Sequence, residues 1–372
     1  MRYHHHDLRD MGLAFSLGFD LRRVLVMSVA ASWTLAVVGL FFVAVSWRVS
    51  GHDFSGSLTG ERLAQSWTIF TDTRLSVDRV LLWAGMLGFW WMGFARIVAP
   101  VQRSIALEVA RDERLDSKQL NIAARRLGGL AAAGPVAGLF LVGILFLVVV
   151  VWAFLAKIPG LTGSISSALT LPLTLAAALV GAIVLLVVVA AIPLMIPAAV
   201  VECRDLMDVI SRACSYVVQR PLRYLAGLIM KKLVVVASAA LGLLVLGLAW
   251  AMVAAALWLV GEGALATQLI TLVLRDGGEI PVESQVTVAL FGGVFYGSAL
   301  LTLGWLMTVS AATDVILYML LRYEVDGVTF DEIMIPQEHL AQHGVVTAAD
   351  TMALAQAAQD TAQSEADAAL KP

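Results

Sequence analysis

The sequence has little charge and almost no cysteine. Only 14% of its 372 residues are Asp, Glu, Lys or Arg, and 60% are hydrophobic, whereas soluble domains carry about a quarter charged residues. The only two cysteines, Cys203 and Cys214, would lie about 16 Å apart along a helix, which is too far for a disulfide. We interpret both as free thiols, and this cysteine usage excludes a disulfide framework.

Long stretches without charge predict membrane spans. The longest comprises the 44 residues 158–201, and runs of about 18 or more apolar residues are typical of transmembrane helices. We predict an all-α fold, a polytopic transmembrane helix bundle with six spans within residues 24–322. The first uncharged run, which forms the predicted span 24–47, is too long for the apolar region of a cleavable signal peptide and indicates a retained anchor. The spans are predicted at about 24–47, 80–98, 130–156, 168–200, 233–260 and 286–311.

The distribution of Lys and Arg predicts the orientation of these spans. Segments 96–126 and 202–232 contain seven and six basic residues, whereas 157–167 and 262–285 contain one each. Segment 48–79 contains four, balanced by four acids. Because basic residues concentrate on the cytoplasmic side, we expect a multi-pass membrane protein with its two basic-rich segments in the cytoplasm. Both termini, the N-terminal segment 1–23 and the C-terminal tail 323–372, are predicted to be cytoplasmic.

Residues 205–219 predict a short amphipathic helix between two spans. Asp205 is the expected N-cap, and Pro221 is expected to end the helix near Gln219. The helix is too short and too charged to span, so we expect it to lie along the inner interface as an elbow. Its apolar side comprises Leu206, Val209, Ile210, Ala213, Tyr216 and Val217, and its polar side Arg204, Asp208, Arg212 and Ser215.

Two other segments share this pattern and predict two more elbows. "RDERLDSKQLNIAARRLGG" follows the second span, with Asp116 or Ser117 as its N-cap. "EVDGVTFDEIMIP" follows the sixth span, where Thr329 and Glu332 have the spacing of a capping box and Pro336 ends the segment. The prediction is therefore an amphipathic elbow after each span that returns to the cytoplasm.

Two stretches carry a resemblance to a known family. "ARIVAPVQRSIALEVARDERLDSKQLNIAARRL" and "IPAAVVECRDLMDVISRACSYVVQRPLRYL" resemble a family of bacterial six-span membrane proteins. In that family an RDER-like loop and a D-hydrophobic-x-D segment ending in Arg-Pro recur at these places. The resemblance covers most of residues 80–335 and implies the bundle and its elbows. It implies no activity, because none is assigned to the family.

Ionisable residues are rare at membrane depth, and the central parts of all six predicted spans lack them. Asp314 and Glu202 are the two candidates. We interpret each as a structural acid at the inner interface, bonded to a neighbouring elbow, with a functional role as the alternative. His339 and His343 have the spacing of a helical metal pair, but they lack the HExxH order and lie in the C-terminal tail, so we predict neither metal nor cofactor.

The sequence favours a non-enzymatic scaffold or accessory subunit whose elbows dock a cytoplasmic or membrane protein. The alternative is a transporter, channel or lipid-handling protein with bending spans. A membrane enzyme that uses Asp314 is the third reading. Basic residues in 96–126 are mixed with acids, which favours the phospholipid bilayer over nucleic acid as a partner. The candidate interaction surface comprises Arg204, Asp208, Arg212, Ser215, Arg111 and Arg114.

Overall fold

A computed structural model describes residues 7–49, 77–113, 117–155, 164–202, 206–259, 282–330 and 332–333. These ranges contain helices and no strand, which confirms the all-α prediction. The chain divides into two units, Met1–Asp331 and Glu332–Pro372, and the described helices all lie in the first. They are a 3-10 helix Leu8–Gly12, α1 Leu13–Leu17, α2 Leu21–Val49, α3 Val77–Arg111, α4 Ser117–Leu155, α5 Ser164–Glu202, α6 Leu206–Gln219, α7 Pro221–Leu259 and α8 Val282–Asp326.

Five stretches of these helices are long and apolar enough to cross a membrane. They lie in α2, α3, α5, α7 and α8, at Leu21–Phe41, Trp83–Arg111, Leu175–Glu202, Pro221–Leu259 and Leu290–Asp326. Residues 130–155 of the predicted span 130–156 lie within α4, whose apolar stretch Leu127–Phe140 is shorter. The chain is therefore a helical membrane protein by length and composition, and the count of six spans stays a prediction.

Local sequence signals set several helix ends. The Asp20 carboxylate accepts a hydrogen bond from the Arg22 backbone N–H at 2.9 Å, which caps the start of α2. Asp112, just after α3, has a φ of 60°, a left-handed conformation that Asp tolerates better than most residues. Gly327 has a φ of 70°, and its N–H bonds the Tyr323 carbonyl, so α8 ends in a glycine cap.

Only one of the three predicted elbows is a separate helix in the described residues. That helix is α6, which ends at Gln219 as the sequence predicts, while its expected cap Asp205 lies outside the described residues. The segment after α3 instead forms the first turns of α4, which continues unbroken to Leu155. Gly128 lies inside α4 and does not end it. A Cβ at this position would lie 3.1 Å from the Arg96 Cα, so the glycine allows α4 to pack closely against α3.

The third predicted elbow is not helical at its start. Residues 327–330 and 332–333 contain no helix, and Pro336 lies outside the described residues. A helix between Thr329 and Pro336 would have about two turns, too few to offset the cost of nucleation without extensive packing.

The buried core of the first unit lies at one end of the bundle. Helices pack there in the pairs α3–α4, α4–α5, α2–α8, α5–α6, α7–α8 and α2–α3. We call this the charged end. It comprises the first turns of α2, α4 and α7, the last turns of α3, α5 and α8, and all of α6. Towards the opposite end, large apolar side chains such as Phe140, Leu186 and Met252 are exposed.

The N-terminal segment is part of this core, which the sequence did not indicate. The 3-10 helix packs against α7 and α8, and α1 packs against α8. Met11, Ala14 and Leu17 are buried. Two aromatic rings, Phe15 and Phe19, also lie against Trp305 of α8 with ring centroids 5.8 and 5.7 Å away.

Candidate functional site at the charged end

Glu202, the last residue of α5, is the centre of a buried polar network. Its side chain is 4% exposed. One carboxylate oxygen, Oε1, accepts a hydrogen bond from the Tyr318 hydroxyl at 3.1 Å and lies 2.8 Å from the Arg322 Nε. The Arg212 guanidinium lies 3.5 Å from the same oxygen. These partners offset the cost of burying a carboxylate and join α5, α6 and α8 at one atom.

Arg212 bridges two acids and fastens α6 to the bundle. Besides Glu202, its guanidinium contacts the Asp326 carboxylate at 3.3 Å. The Tyr216 hydroxyl donates to the same Asp326 oxygen at 2.5 Å. Beneath these polar contacts the apolar face of α6 is buried, as its pattern predicts, through Val209, Ala213, Tyr216 and Val217.

The environment of α6 shifts the pKa values of three of its side chains. Burial and the bond to Asp326 raise the pKa of Tyr216 to about 12, so its hydroxyl remains a donor at neutral pH. Burial also raises the pKa of the Cys214 thiol. Burial alone would lower the pKa of Arg212, but the Glu202 carboxylate together with the Tyr216 and Tyr318 hydroxyls outweighs this effect and raises it. The tyrosine and the cysteine are therefore weak nucleophiles at neutral pH.

Asp314 lies against a helix other than the expected elbow. Its carboxylate is 2.5 Å from the Lys231 Nζ of α7, and both side chains are 13% exposed. Nearby, the Tyr224 hydroxyl donates to the Ala190 carbonyl of α5 at 2.5 Å. This bond adds a second polar contact between α7 and an adjacent helix, close to Pro193 of α5. Asp314 was expected to bond a neighbouring elbow. It instead pairs with Lys231, so the contact joins the two long helices α7 and α8.

Two further buried arginines were missed by sequence reasoning. The Arg23 guanidinium of α2 contacts the Glu108 carboxylate of α3 at 2.5 Å and the Ser104 hydroxyl at 3.1 Å. Arg103 donates to the Val200 carbonyl at 2.6 Å, which caps the last turn of α5 with a cation. The available signal was Glu108, a single acid between apolar residues on both sides, because a charge in such surroundings is usually paired.

Only some residues of the predicted interaction surface are exposed. Asp208 is exposed on α6, and Arg111 is exposed at the end of α3. Arg212 is instead engaged with two acids, and the half-buried Ser215 hydroxyl donates to the Arg212 carbonyl at 3.4 Å. Arg204, Arg114 and the histidine pair of the tail lie outside the described residues. In the described ranges, no three His, Cys, Asp or Glu side chains form a group that could hold a metal ion.

No protein-family model, curated protein or solved structure matches this chain. The resemblance to a bacterial six-span family therefore stays a prediction that depends on the two quoted stretches.

Proposed function

We propose that this chain is a scaffold or accessory subunit of the bacterial cytoplasmic membrane, with its charged end in the cytoplasm. The observation that carries the proposal is the attachment of α6 through Arg212 to Glu202 of α5 and Asp326 of α8. A helix held in this way presents its outer face in one fixed position. A pre-organised surface loses less conformational entropy when a partner binds, so affinity is gained without further contacts.

The outer face of α6 has the composition of a protein-binding surface. Met207 and Val218 are exposed apolar residues, and Asp208 and Ser211 are exposed polar residues on the same side of the helix. Met207 and Val218 lie near opposite ends of α6, about 16 Å apart by the helical rise, with Asp208 and Ser211 between them. Protein interfaces combine apolar and polar contacts, and we therefore infer that the partner is a protein that contacts the length of this face.

The same contacts favour a non-enzymatic role. Glu202, Asp314 and Glu108 each lie within ion-pair distance of a cation on another helix. A carboxylate that holds two helices together in this way is poorly suited to exchange protons with a substrate, because each exchange would leave a buried cation unpaired. We propose that these acids assemble the charged end rather than perform chemistry.

Site-specific photo-crosslinking in native membranes tests the docking role. A photoreactive amino acid at Ser211 of α6 should crosslink one defined protein, because this side chain is exposed on the outer face. The matched control is the same amino acid at Phe19, which is exposed in the turn between α1 and α2. A crosslink of equal strength at both positions, or no protein crosslink at Ser211, would refute the proposal.

The cytoplasmic placement has a separate test. In a variant with Cys203 and Cys214 replaced by serine, Met207→Cys introduces an exposed thiol on α6. A membrane-impermeant maleimide should label this thiol in inverted vesicles and leave it unlabelled in intact spheroplasts. Labelling in spheroplasts would show that the charged end faces outward.

A lipid-handling role is the second candidate, and one observation favours it. Leu243, Leu244 and Val245 are consecutive residues of α7, and all three are exposed. Because successive helical residues are about 100° apart, this part of α7 has little protein around most of its circumference in the described residues. Reconstituted protein should then accelerate the exchange of lipid between vesicle leaflets. Exchange at the protein-free rate would exclude this alternative.

A further inference from the structure

A cleft of about 510 Å³ opens at the corner where α6 meets α7. Its arginines have different environments. Arg220, between the two helices, is exposed, whereas Arg223 in the first turn of α7 lies 2.5 Å from the Glu324 carboxylate. The cleft therefore contains two guanidinium groups and one carboxylate, a net positive charge. Its lining comprises Gln219, Arg220, Pro221, Leu222, Arg223 and Glu324.

An exposed apolar stripe begins at this cleft and follows α7. Its first residue, Leu222, lines the cleft and is 81% exposed. At 3.6 residues per turn the stripe falls within a sector of about 80°, and it extends for about 21 Å towards the predicted fifth span. Its members are Leu222, Leu225, Ile229, Leu233 and Val236, all exposed.

We propose that this corner binds an anionic phospholipid, with its phosphodiester in the cleft and an acyl chain along the stripe. A guanidinium group can donate two parallel hydrogen bonds to phosphate oxygens, and the net positive charge complements a phosphodiester anion. A phosphatidylcholine headgroup brings its own cation and gains less from this cleft. The proposal is independent of the protein-docking role, because it uses the α6–α7 corner and not the outer face of α6.

Glu324 gives the site a built-in competitor for the lipid phosphate. The carboxylate already occupies Arg223, so Arg220 supplies most of the attraction while this pair is intact. Neutralising Glu324 should release Arg223 and strengthen lipid binding. A basic residue near an anionic lipid surface contributes about 1 kcal/mol, which corresponds to about a fivefold change in affinity.

Native mass spectrometry of the full chain in detergent, titrated with phosphatidylglycerol or phosphatidylcholine, tests the site. We expect preferential retention of phosphatidylglycerol, a loss of about fivefold in Arg220→Gln, and a gain in Glu324→Gln. The matched control is Arg22→Gln, which removes an exposed arginine from the start of α2 and should leave retention unchanged. Melting temperatures equal to that of the unmodified chain verify that each variant is folded.

Two further measurements distinguish a lipid site from non-specific binding of anions. Leu222→Asn should weaken phosphatidylglycerol retention while all charges stay in place, and excess inorganic phosphate should fail to displace the lipid. Equal retention of the two lipids, or equal losses in Arg22→Gln and Arg220→Gln, would overturn the proposal. Displacement by inorganic phosphate would also overturn it, because the corner would then bind free anions rather than lipid.

Discussion

The two halves of α5 have similar apolar sequences and opposite surroundings. Leu194, near the charged end, is 0% exposed, whereas Leu186, two turns earlier, is 72% exposed. Both are leucines in one continuous helix. What differs is the neighbourhood, because in the described part of the chain the polar contacts through Glu202, Arg103 and Tyr224 hold other helices against the C-terminal part of α5. Lipid is as apolar as leucine, so polar contacts and small residues decide where helices meet in a membrane.

Glycines show the same difference along α8. A Cβ on Gly304 would lie 2.6 Å from the Val24 carbonyl oxygen of α2, whereas a Cβ on Gly297 would have nothing described within 4 Å. Two glycine pairs with the spacing of helix-packing motifs, Gly134 with Gly138 and Gly293 with Gly297, divide in the same way. A Cβ on Gly138 would approach Val188 of α5 at 2.9 Å, and one on Gly293 would meet no described atom within 4 Å. Small residues therefore mediate helix contacts only where a neighbouring helix is held close.

Removing the Glu202 carboxylate should lower the free energy of unfolding more than any other substitution considered below. Glu202→Ala leaves the buried Arg322 without its ion pair, and loss of one partner of a buried pair costs about 3–5 kcal/mol. The free energy of unfolding in an SDS titration measures this change. Glu324→Ala is the matched control, because it breaks the more exposed pair with Arg223 and should cost about 1 kcal/mol or less. Equal losses in both variants would show that burial does not distinguish the two pairs.

Leucine truncation tests the two halves of α5 directly. Leu194→Ala leaves a cavity in a packed region and should lower the free energy of unfolding by about 2–5 kcal/mol. Leu186→Ala should change it by less than about 0.5 kcal/mol, because this side chain contacts little protein. The same SDS titration compares them. A large loss in Leu186→Ala would mean that another protein surface covers this half of the helix.

Alanine substitution of the α8 glycines tests whether close contact between helix backbones requires glycine. Gly304→Ala forces α8 away from α2 and should cost about 1–3 kcal/mol. Gly297→Ala should be neutral or slightly stabilising, because alanine is the better helix former and no described atom obstructs its methyl group. Thermal unfolding in detergent measures both. The interpretation fails if Gly297→Ala is the more destabilising of the two.

The smallest expected effect is one of thiol reactivity on α6. Burial raises the pKa of Cys214, so less of it is thiolate at neutral pH and it should react with a maleimide more slowly than an exposed thiol. Its rate should rise with pH over a range displaced upward from that of the matched Met207→Cys thiol. Both are measured with Cys203 replaced by serine, and Met207→Cys is made with Cys214 also replaced. Coincident pH profiles would show that Cys214 is not shielded by the bundle.

Features of the fold that depend on residues close in sequence were predicted correctly. The end of α6 at Gln219 follows from Pro221, and its buried face follows from the helical spacing of Val209, Ala213 and Tyr216. The same signals failed after α3, where the predicted elbow is the start of the continuous helix α4 and Gly128 lies inside that helix, close to Arg96 of α3. Whether a glycine turns the chain or admits a neighbour depends on residues distant in sequence.

The partners of the polar residues could not be predicted for the same reason. Glu202 and Asp314 are recognisable as acids near the ends of apolar runs, but their cations Arg322 and Lys231 are selected by how α5, α7 and α8 pack. Arg103 was counted as a cytoplasmic charge, and the structure buries it against the end of α5. Composition predicts that such a residue lies near the membrane boundary, whereas tertiary packing decides whether it faces solvent.

The convergence of one hydroxyl and two guanidinium groups on one oxygen of Glu202 has a consequence for how this sequence can evolve. A change that removes the carboxylate leaves Arg322 buried and charged, so it can persist only with a second change at position 322. Positions 202, 212 and 322 should therefore vary as a set among homologues, whereas exposed positions such as 186 should drift freely among apolar types. Unrelated membrane helices share apolar composition by necessity, so this linked set of charged positions is the better criterion of common ancestry.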